Sequence, residues 1–356
     1  MVTDAPTLLS AKAVPDARSG SKACCLASGI EAGRGFPGGG MVGRRVPPGG
    51  LAMHHGGALF ASHALPPGVS PGVPVVCPAL QRSPIFGTLP FPFNERLPML
   101  RQQALAALML DTVPAKVAAV LALDPAGPVA PGQRLVPSAP LPGRLPRPAL
   151  VPPAEVPRRS LHTAEGRAAL LHAIAHIEFN AIDLALDIVW RFPDLPEDFY
   201  RDWLRIAREE AQHFTLVDDH LRTLGYAYGD FAAHRGLWDM AEKTADDVLA
   251  RLALVPRAME ARGLDVNRGI RDKLVQAGEV AAGPILDVIL RDEIGHVAAG
   301  NRWYRHVCRE RGLEPLAAEA ELAARYGAPK VRGPFNLEAR RAAGFDAAEL
   351  AALVGR

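Results

Sequence analysis

The sequence has few of the residues that staple a small domain or mark a redox cofactor. It holds four cysteines in 356 residues, Cys24, Cys25, Cys77 and Cys308, and no Cys-x-x-Cys pair. That excludes a zinc ribbon, gives no support to a disulfide framework, and fits a reducing, cytoplasmic setting. Acids and bases nearly cancel, leaving a formal net charge of +2. Bulk charge therefore calls for neither nucleic acid nor a membrane surface. No unbroken apolar run approaches the roughly 20 residues of a membrane span. The first residues lack the charged segment and apolar core of a secretory signal. No flavin, nicotinamide or iron–sulfur motif is visible. Aromatic residues make up only 6% of a chain that is 49% hydrophobic. Ala and Leu dominate the second half, which favours helix.

The chain divides by composition. Residues 1–98 are rich in Gly and Pro, carry only Asp4, Asp16, Glu31 and Glu95 as acids, and show no periodicity. Little apolar surface opposes the chain entropy there, so the expectation is a disordered extension or an over-extended reading frame starting truly at Met99. Residues 99–160 read as two short helices, broken near Thr112–Pro114, followed by a Pro-rich arm. Residues 161–312 carry four long helical patterns, at about 164–191, 196–224, 236–262 and 279–311, with a shorter helix near 268–277. Thr163 is placed to cap the first, and Gly225, Gly263 and Gly312 to end the others. Residues 313–356 read as short helices around Pro329 and Pro334. The fold class expected is all-α: a four-helix bundle with short flanking helices.

Acids fall on the apolar faces of these helices. Glu178 lies among Leu171, Ile174, Ala175, Ile182, Ala185 and Val189 of the first. Glu210 sits among Trp203, Ile206, Phe214, Val217 and Leu221 of the second, with His213 one turn away. Glu293 and His296 fall within the Ile285, Ile289, Gly300, Trp303 and Val307 face of the fourth. An unpaired buried carboxylate costs several kcal/mol, roughly, even after relaxation. These faces offer no Arg or Lys, so divalent cations are the expected compensation.

Spacing sharpens this. Glu210-Ala-Gln-His213 and Glu293-Ile-Gly-His296 are both Glu-x-x-His, which aims both side chains of each pair the same way. A lone Glu on each remaining helix completes the di-iron carboxylate pattern. The lone acids are Glu178 and, at the edge of the third apolar face, Glu260, with Glu242 as its alternative. Glu178 precedes Glu210 by 32 positions and Glu260 precedes Glu293 by 33, so the ligands form a pseudo-repeat. Pro256, one turn before Glu260, is placed to kink the third helix and open space beside the metals. The first helix has a polar stripe on its other face, His172, His176, Asn180, Asp183 and Asp187, expected to lie under the Pro-rich arm. Asp183 or Asp187 is the less favoured choice to hold a ligating His by its second nitrogen. Glu209 and Asp292, each just before a ligand Glu, are expected at the rim of the site.

The runs HAIAHIEFNAIDLALD, EEAQHFTLV and DEIGHVAAGNRWY resemble an uncharacterised bacterial ferritin-like family, domain of unknown function 455. The resemblance covers about Met99 to Tyr326. It implies a place in the ferritin-like superfamily and a site of two iron ions, with manganese as the alternative at one or both positions. It supplies no substrate. The leading expectation is an O2-activating oxygenase or hydroxylase fed by an external electron donor and acting on a small molecule or on tRNA. The alternatives are a ferroxidase and a bundle that uses metal for stability alone. No membrane partner is expected, and an oligomer is compatible with the sequence.

Overall fold

The described residues are 99–355 of a computed structural model, so the expectation for 1–98 lies outside them. Two short helices come first, α1 (Leu100–Leu108) and α2 (Val113–Leu121), with Pro114 in the first turn of α2, where its missing N–H costs nothing. Arg101 is fully buried and donates to the carbonyls of Val189 and Trp190 at 2.9 and 2.6 Å, and to that of Gln133 at 2.6 Å. It thereby pins α1 to the carbonyl end of α3 (Ala164–Arg191), a position that suits a cation.

Thr163 caps α3 as its sequence position implies, its hydroxyl accepting from the Gly166 N–H at 3.0 Å. Gly166 has no alternative, because a Cβ there would lie 1.9 Å from the Ser160 carbonyl oxygen. By length and mean hydropathy α3 is apolar enough to cross a membrane, although His, Glu, Asn and Asp interrupt it, and 72% of that stretch is buried inside the fold. Its apolar surface is spent on the core. Five residues then lead into α4 (Glu197–Thr223), which packs along α3 and ends at Gly225 with φ +82°.

The third helical pattern departs from expectation. The chain forms a separate α5 (Gly236–Lys243), breaks, and restarts as α6 (Val248–Leu254), capped by the Asp247 carboxylate, which accepts from the Leu249 N–H. A π-helical turn, Val255–Glu260, follows and runs directly into α7 (Ala261–Gln276). The third bundle helix is therefore 248–276, not 236–262; Gly263 lies inside it, and the short helix expected near 268–277 is its second half. The physical cause of the turn is Pro256, which lacks the N–H needed for an unbroken α ladder. Across from it, α8 (Ala282–Glu310) presents Gly300, where a Cβ would come within 2.7 Å of the Pro256 ring. The chain finishes with α9 (Pro315–Arg325), α10 (Leu337–Ala342) and α11 (Ala347–Val354).

The fold is all-α; among the described residues the β structure amounts to one isolated bridge, Leu150 with Ala233. Helix α8 packs against both α4 and α7. The Pro-rich arm pairs with the 224–235 loop through the Leu150–Ala233 bridge, and that loop meets the polar stripe of α3. The stripe has specific partners. His172 accepts from the Gly229 N–H, and His176 bonds the Tyr228 hydroxyl and the His234 carbonyl. Asp183 pairs with buried Lys116 of α2 at 2.5 Å, and Asp187 with buried Arg251 of α6 at 2.5 Å. These two acids thus anchor flanking helices and hold no ligating histidine.

Asp187 also accepts from Arg191 and from the Trp190 indole. Replacing it with Ala leaves Arg251, 1% exposed, without its carboxylate. Asp187→Ala is expected to lower the unfolding free energy by about 3–5 kcal/mol, read by urea denaturation. A loss below about 1 kcal/mol would show that the pair does not fix α6 to α3.

Candidate metal centre

Helices α3, α4 and α8 carry Glu178, Glu210 with His213, and Glu293 with His296; the π turn carries Glu260. Glu178, Glu210, His213 and Glu293 each offer a ligand atom, and these atoms all lie within 4.8 Å of one another. His213 Nδ1 is 3.3 Å from Glu178 and 3.4 Å from Glu210. His296 Nδ1 is 2.9 Å from Glu210 and 3.6 Å from Glu293. Glu260 borders the same cavity as Glu178 and Glu293, and its carboxyl feels the charges of Glu293 and Glu210. The structure therefore brings all six sequence candidates into one neighbourhood. Glu242 is elsewhere, bonded to Arg235 and Trp238.

Each histidine turns Nδ1 inward and is held from outside by Nε2. His213 Nε2 faces the Asp292 carboxylate at 3.2 Å, and His296 Nε2 faces Glu209 at 2.8 Å. The pattern is crossed. The acid preceding the α8 ligand pair holds the α4 histidine, and the acid preceding the α4 pair holds the α8 histidine. A carboxylate on the outer nitrogen fixes ring orientation and raises the basicity of the inner one. The rim position of Glu209 and Asp292 is legible in the sequence, but the crossing is not. An acid immediately before the Glu in both motifs was the available signal.

Protons and imidazolium charges stand in for cations among these acids. Burial pushes the Glu260 carboxyl up to about 8, with Glu293 and Glu210 adding to the rise. Burial likewise raises Glu178 and Glu293. Glu210 behaves oppositely. Burial opposes its ionisation, but the two imidazoles beside it prevail and hold it well below the usual carboxylate range. Burial would lower both histidines, yet the facing carboxylates raise them well above their ordinary value. Even so, Glu178 Oε2, Glu210 Oε2, His213 Nδ1 and His296 Nδ1, though in ion-pair range of opposite charge, are buried without an aligned hydrogen bond. Four orphaned donor atoms converging from three helices, all oxygen or imidazole nitrogen, are a set that divalent cations fit.

Between α3 and α7 a cavity of about 180 Å³ reaches Glu178, Glu260 and Glu293. Its walls are chiefly apolar, including Ile174, Ile177, Met259, Val266, Leu286 and Ile289.

Residues 106–351 match the model of a family described as a protein of unknown function, DUF455. The chain belongs to that family. An uncharacterized protein of Haemophilus influenzae is 54% identical over 211 residues, which cover 57% of this chain and 73% of that protein. No solved structure matches the chain.

The raised Glu260 pKa sets a pH dependence for the metal-free protein. Folded, Glu260 keeps its proton to about pH 8; unfolded, it releases it near 4.5. Between these values unfolding releases a proton, so stability falls as pH rises. Urea midpoints of chelator-treated protein are expected to drop from pH 5 to 8. The Glu260→Gln variant is expected to flatten that drop, and added Mn(II) to reverse it in the unmodified chain. A midpoint that rises steadily over this range would contradict the assignment.

Proposed function

We propose that the chain is a di-iron carboxylate oxidoreductase of the ferritin-like kind that uses O2 to oxidise an organic molecule. The observation carrying this reading is the set of orphaned, buried ligand atoms lying beside an apolar cavity. Charge supports two ions. The carboxylates of Glu178, Glu210, Glu260 and Glu293 carry four negative charges when ionised, which two divalent cations balance with both imidazoles neutral. The pseudo-repeat supports two equivalent positions, each served by one lone Glu and one Glu-x-x-His. Oxygen and imidazole donors without thiolate favour iron or manganese over structural zinc.

Bound there, two ferrous ions would supply electrons and activate O2. One oxygen atom ends in a C–H bond of the substrate and the other leaves as water, with two electrons and two protons from an external donor. The residues of the chain supply the setting. Glu178, Glu260 and Glu293 border the cavity, so the reacting end of a substrate meets the carboxylate side of the centre. His213 and His296 are fixed from outside by Asp292 and Glu209. The apolar walls present mainly hydrocarbon surface to a substrate. They also set this reading above ferroxidase activity, because hydrated iron passing to and fro requires polar walls. A small molecule is favoured over tRNA, since a net charge of +2 leaves no broad electrostatic footprint.

The test loads the full chain with Fe(II) without O2 and measures bound iron per chain, beside a Glu210→Ala, Glu293→Ala double variant. About two irons are expected, lost in the variant, and their oxidation on admitting O2 should consume the gas. Iron no higher than in the variant would end the di-iron reading.

A further inference from the structure

The cavity has polar features that the acid cluster does not explain, and the most deeply buried is an amide. Asn267 of α7 lines it and is only 7% exposed, yet its side-chain oxygen is buried without a hydrogen-bond partner. Arg262 Nε is a second partnerless buried atom of the wall, while the neighbouring polar groups are at least partly engaged. His176 bonds Tyr228 and the His234 carbonyl, Asn180 donates to the His176 carbonyl, and Arg262 is held by Asp265 and the Pro334 carbonyl. An orphaned amide in an apolar wall is destabilising unless a ligand bonds it.

We infer that this cavity binds a small, mainly apolar, non-anionic molecule carrying one hydroxyl or N–H group, which donates to the Asn267 side-chain oxygen. As a statement about substrate, this rests on the oxidative reading of the centre. Three features define the class. The apolar walls ask for hydrocarbon surface. The Arg262 charge is already met by Asp265, and the acids at the other end repel an anion. A volume near 180 Å³ suits about seven non-hydrogen atoms, since an engineered apolar cavity of about 150 Å³ takes benzene. Asn267 lies seven residues beyond Glu260, so about 10 Å of helix separates them. The hydrogen-bonding group therefore sits at the end of the ligand away from the acids, and the carbon nearest the centre is remote from it.

Gly263 lies between those two positions on the same wall, and a Cβ there would meet nothing within 4 Å. A larger side chain at 263 can fill the cavity without straining the helix.

Phenol and toluene are matched probes, nearly equal in volume and differing in one donor. Both are titrated calorimetrically into the full chain, Fe(II)-loaded under anaerobic conditions, beside Asn267→Leu and Gly263→Leu variants. The phenol-to-toluene affinity ratio is expected to fall about tenfold in Asn267→Leu, the worth of one hydrogen bond. Gly263→Leu should bind neither probe, while its thermal midpoint holds or rises because Gly is replaced inside a helix. An unchanged ratio in Asn267→Leu overturns the inference, and so does phenol binding that survives in Gly263→Leu. Iron content of the same samples separates the two proposals. Full iron without the Asn267-dependent ratio overturns this inference alone. The expected ratio without iron overturns the oxidative reading and leaves the ligand class standing.

Discussion

Everything in this fold is arranged around the cost of gathering carboxyl groups where water cannot reach them. Glu178 and Glu210 are almost fully buried, and Glu293 and Glu260 complete the group. Like charges this close cannot all ionise in a dry interior without compensation. Protons on Glu178 and Glu260, with two imidazolium rings, lower the cost only in part, because four donor atoms still lack partners. The crossed bonds from Glu209 and Asp292 matter for the same reason. Each outer carboxylate, itself held by an arginine (Arg205 on Glu209, Arg291 on Asp292), accepts at the outer nitrogen and so fixes the ring with its inner nitrogen toward the cluster. The whole cluster is therefore more strongly cation-seeking than its buried surroundings alone would suggest.

A site under such internal repulsion needs a rigid frame, and buried ion pairs supply it. Lys116–Asp183 fixes α2 to α3, and Arg251–Asp187 fixes α6 to the same helix. Arg257, inside the π turn, bonds Glu319 of α9 and Glu349 of α11 while its guanidinium lies against Tyr304 and Phe345. Arg340 of α10 bonds Asp265 and the carbonyl of Ala261. The short C-terminal helices thus grip the turn that carries Glu260. They act on the centre through the backbone of α7 without lending it a ligand.

The sequence made the all-α class and the limits of α3 and α4 legible, and it singled out acids and histidines that the fold gathers, each for a physical reason. Apolar periodicity is strong on α3 and α4, and acids on those faces are conspicuous. The third helix was misread because Ala- and Leu-rich composition does not announce a break at Thr244–Asp247, and Gly263 imitates a helix end. The kink expected at Pro256 appears as a π turn, whose form depends on Gly300 across the interface. The partners of the α3 stripe were also out of reach, since Lys116, Tyr228 and Arg251 come from three separate segments. The cavity was invisible because it is defined by two helices that fail to close on each other, not by any motif.

That failure to close explains how a repeat with matched ligands gains an entrance on one side. The two halves share their Glu-x-x-His motifs and their preceding acids, and the crossed bonds respect that likeness. They differ at the lone Glu. Glu178 stands on an unbroken helix packed along α4, whereas Glu260 stands at the end of a π turn. A π turn widens the helix and re-aims the residues after it. Gly263 and Asn267 follow on α7 and line the gap opposite Ile174 and Ile177. Had the third helix continued in α form through position 256, Glu260 would have been displaced around the axis and the gap would have lost its Glu260 end. One proline, accommodated by one glycine on α8, thus shapes the Glu260 end of a gap that Glu178 and Glu293 also border.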